Sequence, residues 1–516
     1  MMRSARDGYD AVIIGGGIGP LTAAAYLAAG KGKVLLLEAS SSFAGGSETV
    51  EFAQGFRAPL LSHLAYALDG RAVRELHLAD HGLVFAQPNM ETAALRPGGK
   101  HIVLPGKGFR RRTAFAAHAS PERRDYAAFD EEAMRFARLL RPLWNGTLTE
   151  AKAQSREDML GIIIRRLQLK AHDVERLENV SRLSAAAFAD SWLDNEALRA
   201  ALSFDVFPSG LSPQEAGSAL VLIWRYAQES CGRQAAVCQI RGGAGALAKA
   251  LETAARKAGA ELRTSVTVTS IVVEKRRAVG VTLANGEMIQ AKAVLSGLSA
   301  RETLLDLIPA GSLGFGTAAS VPVSGRIATA QIMLALNGPP PIAGLEPEEL
   351  GARMVIAERP EIASEAKGAA LNGELPEALA MEVTIPTVAD AGLAPAGCHI
   401  LSVLLPYMPV SVMGGWENCR AVLRRRALET LENFAPGLKD RLIADRVVTP
   451  GDKRDACAVG DAGSPSSRLL ASYEARIRTP VAGLYLCGRT AEPVNVACGR
   501  AGRLAAGLVF MAAGAR

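Results

Sequence analysis

The sequence predicts an α/β fold: a parallel sheet flanked by helices, with an α+β domain inserted into it. Three observations predict this. The chain opens with an apolar strand, a glycine-rich turn and an alanine-rich helix. A second glycine-rich helix start follows at Gly242-Gly243-Ala244-Gly245, and an apolar strand over 483–488 with a helix from about Gly499 closes the chain. At 516 residues the chain is too long for one small core and holds two or three structural units.

The elements justify themselves in order. Residues 11–14 are a short apolar run with β-branched members, bounded by glycine, as a buried parallel strand requires. Gly15-Gly16-Gly17-Ile18-Gly19 makes a tight turn, 21–29 reads as a helix, and 33–37 is a second strand ending in Glu38. This is the order of a Rossmann-type dinucleotide site. Gly15 allows the sharp turn, and Gly17 lets the backbone approach a pyrophosphate. Ile18 and Gly19 open a helix whose unpaired N–H groups and partial positive charge face the phosphates. Glu38, about twenty residues beyond Gly17, can accept hydrogen bonds from ribose hydroxyls and disfavours a 2′-phosphate, which argues against NADP. One position departs from the pattern: Pro20 stands where the third glycine belongs. Proline costs little in a helix's first turn, so the helix is expected to survive with an altered approach to the strand.

Further along, 239–247 opens a helix running to about Ala258, 261–274 follows as a strand, and 278–290 reads as a hairpin around Asn285-Gly286. Residues 293–297 read as a strand returning to the first sheet. The stretch 96–234 is mainly helical, with 3.6-type spacing over 126–143, 157–169 and 213–229. The stretch 301–445 alternates strands (326–336, 379–384, 399–405) with breakers such as Pro339-Pro340-Pro341, and 423–433 reads as a helix.

Several segments carry a resemblance. Ser42-Phe43-Ala44-Gly45-Gly46-Ser47 places a glycine pair shortly after the ribose-binding acid; Gln239-Ile240-Arg241-Gly242-Gly243, Ala293-Val294-Leu295-Ser296-Gly297 and Leu484-Tyr485-Leu486-Cys487-Gly488 follow in register. Together they resemble the amine oxidase and phytoene desaturase superfamily of FAD enzymes, closest to its phytoene desaturase-like group, along most of the chain. The resemblance implies an FAD-binding domain assembled from 1–95, 235–300 and 446–516, and a substrate domain from 96–234 and 301–445. It implies that Gly45, Gly46 and Ser47 lie beside the pyrophosphate and flavin, and that Val268 meets the adenine through backbone groups. Ser296 and Gly297 end the returning strand, and Gly488 delivers the chain to the flavin.

The loop that follows is unusual for that group. Val494-Asn495-Val496 replaces a run of glycines whose N–H groups approach the flavin. Either the site is retuned for a different substrate, or FAD is kept as a structural element. For an enzyme, Arg489 and the N–H groups of Asn495 and Val496 are candidate stabilisers of charge on the reduced flavin, and Glu492 is a candidate base, with a salt bridge to Arg489 as its plainer role. The activity implied is desaturation, saturation or isomerisation of an apolar small-molecule substrate, isoprenoid- or lipid-like, with oxygen or a quinone as electron acceptor. An amine or amino-acid oxidase, and a non-catalytic FAD-stabilised interaction protein, are the alternatives.

Other patterns exclude more than they assign. The net charge of +6 is mild for this length. Arg110-Arg111-Arg112, Lys275-Arg276-Arg277 and Arg424-Arg425-Arg426 are scattered, so they read as solvated faces and helix ends, with peripheral attraction to an anionic membrane surface as the alternative. No nucleic-acid footprint is present. The seven cysteines are dispersed and never spaced as C-x-x-C, which argues against disulfides or zinc and fits a cytoplasmic protein. A strand entered by Tyr9 leaves no room for a signal peptide. His63, His77 and His81 show no metal-type pattern, and no Ser/His/Asp constellation stands out. Trp192, Phe204, Phe207, Trp224 and Tyr226 read as core, with an apolar tunnel as the alternative. Gly242 to Ala246 as a second dinucleotide turn lacks a strand-end acid. Oligomeric state is left open.

Overall fold

A computed structural model of the chain describes residues 8–107, 121–145, 171–309, 311–313, 325–452, 469, 471–494, 496 and 498–514. The helix expected over 157–169, the run Arg110-Arg111-Arg112 and Asn495 lie outside them. In chain order the principal elements are β1 (Tyr9–Ile14), α1 (Ile18–Ala29), β2 (Val34–Leu37), β3 (Thr92–Ala94), β4 (Ile102–Leu104), α2 (Pro121–Trp144), α3 (Ser218–Ala227) and α4 (Ala244–Lys257). There follow β5 (Glu261–Arg263), β6 (Val268–Glu274), β7 (Arg277–Leu283), β8 (Met288–Ser296), β9 (Ile327–Leu336), β10 (Arg353–Ile356), β11 (Met381–Thr384), β12 (His399–Pro409), α5 (Trp416–Glu432), β13 (Leu442–Val448), β14 (Leu484–Leu486) and α6 (Arg500–Gly514).

Among the described residues, the first seven-stranded sheet runs β5-β2-β1-β8-β7-β6, with β14 on the other side of β8's end. The β5–β2, β2–β1, β1–β8 and β8–β14 pairs are parallel, and Ala11 lies opposite both Val34 and Ala293. A parallel strand covered on both faces has no solvent side, which is why Ala11 to Ile14 and Val34 to Leu37 are buried without alternation. The strand expected over 261–274 is two strands. Ser265 adopts a positive φ of 56° and its N–H binds Ser40 O, turning the chain from a parallel partner of β2 into an antiparallel partner of β7. Conversely, the expected hairpin arm and returning strand are one continuous strand: β8 pairs with β7 at its start and with β1 and β14 at its end.

The second seven-stranded sheet runs β13-β9-β12-β11-β10-β3-β4, antiparallel except for β10–β3. It draws β3 from before residue 95, and β13 crosses the 445/446 boundary. Helices α2 and α3 form a separate hydrophobic core with Trp144, Trp224 and Tyr226 fully buried.

Helix α1 is buried nearly all round, between the first sheet, α4 and α6. Such a position requires small side chains, and its Ala23, Ala24 and Ala25 are inaccessible. Backbones meet at its start. A Cβ on Gly19 would stand 2.0 Å from Cys487 O, and one on Gly502 in α6 would stand 2.0 Å from Gly19 O. Pro20 sits in the first turn as expected, and its room comes from β8: a Cβ on Gly297 would lie 2.2 Å from Pro20 Cγ. The space usually freed by a third glycine is supplied by Gly297, just past the end of the facing strand β8.

A matched pair in α6 tests this packing. Gly502→Ala is expected to lower stability by about 1–3 kcal/mol or more through overpacking. Gly507→Ala, where an added Cβ meets nothing within 4 Å, should raise it by about 0.5–1 kcal/mol. Urea denaturation reads both, and equal effects would reject the close-packing account.

Candidate functional site

A cavity of about 590 Å³ lies between the glycine turn after β1 and one face of the second sheet. That size is typical of sites for cofactors and small molecules.

Its nucleotide end is built by local sequence. Gly15 has φ +93°, and Gly17 caps α1 with no side chain bonding the first N–H groups, so those donors are left for a ligand. The carboxylate of Glu38, at the tip of β2, accepts from Gly16 N at 2.5 Å and Ser40 N at 2.8 Å, which fixes it facing the cavity. A Cβ on Gly17 would meet no heavy atom nearer than Pro20 Cδ at 4.0 Å; the space beside it is cavity. Gly45, at φ +57°, crosses over Gly17, with Gly46 and Ser47 beside it on the wall. A helix N-terminus, bare glycine backbone and a clamped acid fit the pyrophosphate and ribose of a dinucleotide. Gly243 and Ala244 of the second glycine turn line this same cavity, so that turn serves one site and does not form another.

Gly15, Gly17, Ile18, Gly19, Glu38, Gly45, Gly46, Ser47, Gly297, Gly488, Arg489, Glu492 and Val496 all line the cavity. Val268 and Ser296 do not. Val268 opens β6 opposite Leu283. Ser296 Oγ bonds Thr303 Oγ1 at 2.7 Å and accepts from Leu298 N at 3.3 Å, so it shapes the turn that presents Gly297.

In the unusual loop, both valines pack on the helical core, but only Val496 also lines the cavity. Val494 is 2% exposed in the helical core, away from the cavity, while Val496 reaches the wall. Glu492 is buried; Oε2 accepts from Tyr473 OH and Oε1 from Ala501 N, both at 2.7 Å. A carboxylate at the start of α6 is favoured by the helix dipole, and it ties the loop to that helix. Burial, and then Glu492 beside it, push the Tyr473 phenol well above its ordinary range.

Sequence reasoning missed the opposite wall. The segment 61–68 crosses the cavity, and the second sheet closes it with Thr329, Glu382 and Leu404. Gln331, Glu382, Thr384, Ser402 and Leu404 share one sheet face, by period-two alternation and by the pairing of 331 and 382 with 404 and of 384 with 402. His63 is clasped onto that face. Its Nε2 lies 2.9 Å from Glu382 Oε1, and its Nδ1 lies 3.0 Å from Ser402 Oγ and 3.2 Å from Thr384 Oγ1. Thus Ser402, His63 and Glu382 come together although 339 and 319 residues separate the histidine from its partners. Ser402 is fully buried, off the cavity wall, and accepts from Gln331 Nε2 at 3.0 Å. The trio holds an imidazole; it does not expose a nucleophile. The signal in the sequence was slight: Ser62-His63 inside an apolar run, and Glu382 and Thr384 alternating with Met381 and Val383.

Behind Glu382 lies a buried chain of charge. Arg353 Nε is 2.5 Å from Glu382 Oε2, Arg353 Nη2 is 2.6 Å from Asp205 Oδ1, and Arg225 Nε is 3.8 Å from Asp205 Oδ2. Burial alone would raise the Glu382 pKa, but Arg353 and the His63 hydrogen bond bring it down from 4.5 to about 2. Of the five aromatics, Phe207 lines the cavity; Phe204, Trp224 and Tyr226 are core, and Trp192 packs on that core. Among the described residues no cluster of metal ligands occurs, and no helix is long and apolar enough to cross a membrane.

Arg353→Met leaves the buried Glu382 and the half-buried Asp205 without their shared partner and is expected to cost about 3–5 kcal/mol. Because the folded pKa of Glu382 is depressed, its contribution is present above about pH 4.5 and lost as pH falls through about 2. The gap in urea stability between the native chain and Glu382→Gln should narrow over that window; a gap that stays flat rejects an ionised, paired Glu382.

Comparison with known proteins agrees with this geometry. Flavin containing amine oxidoreductase, as a family, matches residues 21–305. The chain is 27% identical over 542 residues to pyridine nucleotide-disulfide oxidoreductase domain-containing protein 2 of Rattus norvegicus, covering 97% of this chain and 93% of the relative. It is 28% identical over 306 residues to the neurosporene-forming phytoene desaturase of Cereibacter sphaeroides, covering 58% and 57%. Among solved structures, an oxidoreductase from Methanosarcina mazei superposes with a TM-score of 0.60 at 19% identity, covering 95% of this chain and 98% of that one. A putrescine oxidase bound to putrescine gives 0.60 at 15%, covering 98% and 99%. A glycine-cradled dinucleotide cavity and a family match over more than half of the chain lead to one conclusion: the protein belongs to the flavin containing amine oxidoreductase family and is an FAD-binding oxidoreductase.

Proposed function

We propose that the protein removes hydrogen from a neutral, mostly apolar substrate, isoprenoid- or lipid-like, in a desaturation, with saturation and isomerisation as variants of the same chemistry. The observation that carries this reading is the state of four of the five carboxylates on the wall, Glu48 being the fifth. Glu38 is clamped by backbone N–H groups, Glu382 by Arg353 and His63, Asp452 by Arg420, and Glu492 by Tyr473 and Ala501 N. A substrate ammonium would have to compete with these partners for its counter-charge. An uncharged substrate meets instead the apolar surface of Leu61, Leu64, Phe207 and Leu404.

FAD, when bound, supplies a two-electron hydride acceptor. The chain's part is positioning. The start of α1 and Gly17 hold the pyrophosphate, Glu38 holds the ribose, and the apolar wall keeps water from the reacting carbons. Arg489 is the proposed stabiliser of the charge that reduction brings; of the two expected backbone donors, the Val496 N–H is given to Val494 O at 2.6 Å and Asn495 lies outside the described residues. We assign Glu492 to holding the loop against α6, in place of a base role. Oxygen or a quinone as final electron acceptor, and a cytoplasmic location, belong to the same proposal.

The purified protein is expected to be yellow and to release FAD on heating. Anaerobic mixing with isoprenoid or unsaturated lipid substrates should bleach it, while putrescine and other primary amines should not. Bleaching by amines alone would replace this reading with that of an amine oxidase; no bleaching by any substrate class, with FAD tightly held, would favour the scaffold role. Glu492→Gln should leave the pH profile of turnover unchanged while weakening thermal stability. A lost limb in that profile would restore Glu492 as the base.

A further inference from the structure

We infer that Thr329 selects the substrate, its hydroxyl bonding one neutral oxygen, an alcohol or a carbonyl, on an otherwise apolar molecule. The inference deepens the proposal above and rests on its neutral, mostly apolar substrate.

The position is made by an irregularity in the second sheet. Ala328 of β9 pairs with Met408 of β12 and Ala330 pairs with Leu405, so Thr329 stands opposite two residues, Pro406 and Tyr407, in place of one. That is a β-bulge, a device that re-aims side chains beside functional sites. Pro406 has no N–H to give to a ladder, which suits it to a bulge. Tyr407 takes a φ of +59°, a costly conformation for a bulky residue, and is held in it by burial and by its OH, which donates to Leu211 O at 2.6 Å. The strain is kept at the rung where the threonine meets the cavity.

Thr329 differs from its neighbours on that sheet face. Alternation puts Ile327, Thr329 and Gln331 on one side of β9. Ile327 joins an apolar cluster with Phe204, Phe207 and Tyr407. Gln331 donates to Pro59 O and Ser402 Oγ and accepts from Leu61 N. Glu382, Thr384 and Ser402 are engaged by His63 and, for Glu382, by Arg353. Thr329 lines the cavity at 7% exposure; its hydroxyl has no protein partner among the described residues, yet it is not sealed away from open space. A donor and acceptor is thus left for a ligand, on a wall that also presents Leu61, Leu64, Phe207 and Leu404. Tyr66 brings another hydroxyl to the cavity from the segment 61–68, but Thr329 stands on a strand, the more rigid mount for a selecting group.

The wall also sets the charge of the oxygen. Of the described residues that line the cavity, Arg489 is the one Lys or Arg, and it lies in the loop after β14. Arg353 is shared between Glu382 and Asp205. A carboxylate held at this wall would face the Glu382 carboxylate with no Lys or Arg left to pair with it, whereas an alcohol or carbonyl needs only the hydrogen bond.

The test is binding to the FAD-loaded, oxidised protein, read from the perturbation of the flavin absorbance without turnover. The probes are geraniol, its deoxy hydrocarbon and geranic acid, one carbon skeleton carrying an alcohol, no oxygen and a carboxylate. Geraniol is expected to bind about five- to tenfold more tightly than the hydrocarbon, the worth of one neutral hydrogen bond, and more tightly than the acid. Thr329→Val keeps the shape and removes the hydroxyl, and should bring alcohol and hydrocarbon to within about twofold of each other. Thr329→Ser keeps the hydroxyl and should keep the preference. Should Thr329→Val fail to fold, Thr329→Ala takes its place. Equal binding of alcohol and hydrocarbon to the native protein, or binding of neither, would overturn the inference. So would a preference that survives loss of the hydroxyl, one that disappears in Thr329→Ser, or tighter binding of geranic acid. Binding of putrescine in preference to all three probes would instead defeat the neutral-substrate reading beneath it.

Discussion

The site depends on backbone meeting backbone at the start of α1. Gly19 lies against Cys487 O, Gly502 against Gly19 O, and Gly488 against Gly297 O, where a Cβ would stand 2.0 to 2.2 Å from its neighbour. No side chain fits at these points, and so three chain segments far apart in sequence are drawn to one junction. The first glycine turn, the end of β8 and the loop after β14 are each brought to the cavity by this packing. Dispersion and burial then act on surfaces already in register, and the alanine-rich face of α1 is the other half of the same constraint.

The cavity that results has two unlike ends. At the nucleotide end the ligands are largely backbone N–H groups and one clamped acid, a surface suited to phosphate and ribose and indifferent to side-chain detail. At the other end the wall is a sheet face carrying Glu382, Thr384, Ser402 and Gln331, closed by His63. Charges buried this deeply are tolerated because they come as a chain: Glu382, Arg353, Asp205 and Arg225 each offset the next. The chain also joins the helical insert, through Asp205 and Arg225, to the second sheet, through Arg353 and Glu382. The polar wall and the seam between two structural units are thus the same set of residues.

The altered loop becomes intelligible in this setting. Val494 in place of glycine does not obstruct the cavity, because its side chain completes the hydrophobic core of the helical insert. Val496 adds apolar surface to the wall itself. The valines therefore couple this loop to the helical core more tightly than glycine would. Glu492, bonded at once to Tyr473 and to the start of α6, holds the loop's other end.

By itself the sequence determined the nucleotide half of this protein. Gly15, Gly17 and Glu38 take their places through local geometry, a turn, a helix end and a strand tip within thirty residues, so their spacing is enough to bring them to one end of the cavity. Gly45, Gly46 and the strand arriving at Gly488 are placed by the family resemblance, and the structure puts all three glycines on the cavity wall. Only the tertiary structure decided the opposite wall of the cavity. His63 meets Glu382 and Ser402 across more than 300 residues, and a Glu and a Thr alternating with apolar residues describe a solvent-facing strand as well as a cavity wall. Likewise no local rule tells a valine that only fills a core from one that also reaches the cavity wall, as Val494 and Val496 show. Periodicity reports which residues share a face; what that face meets is settled by the chain's long-range packing.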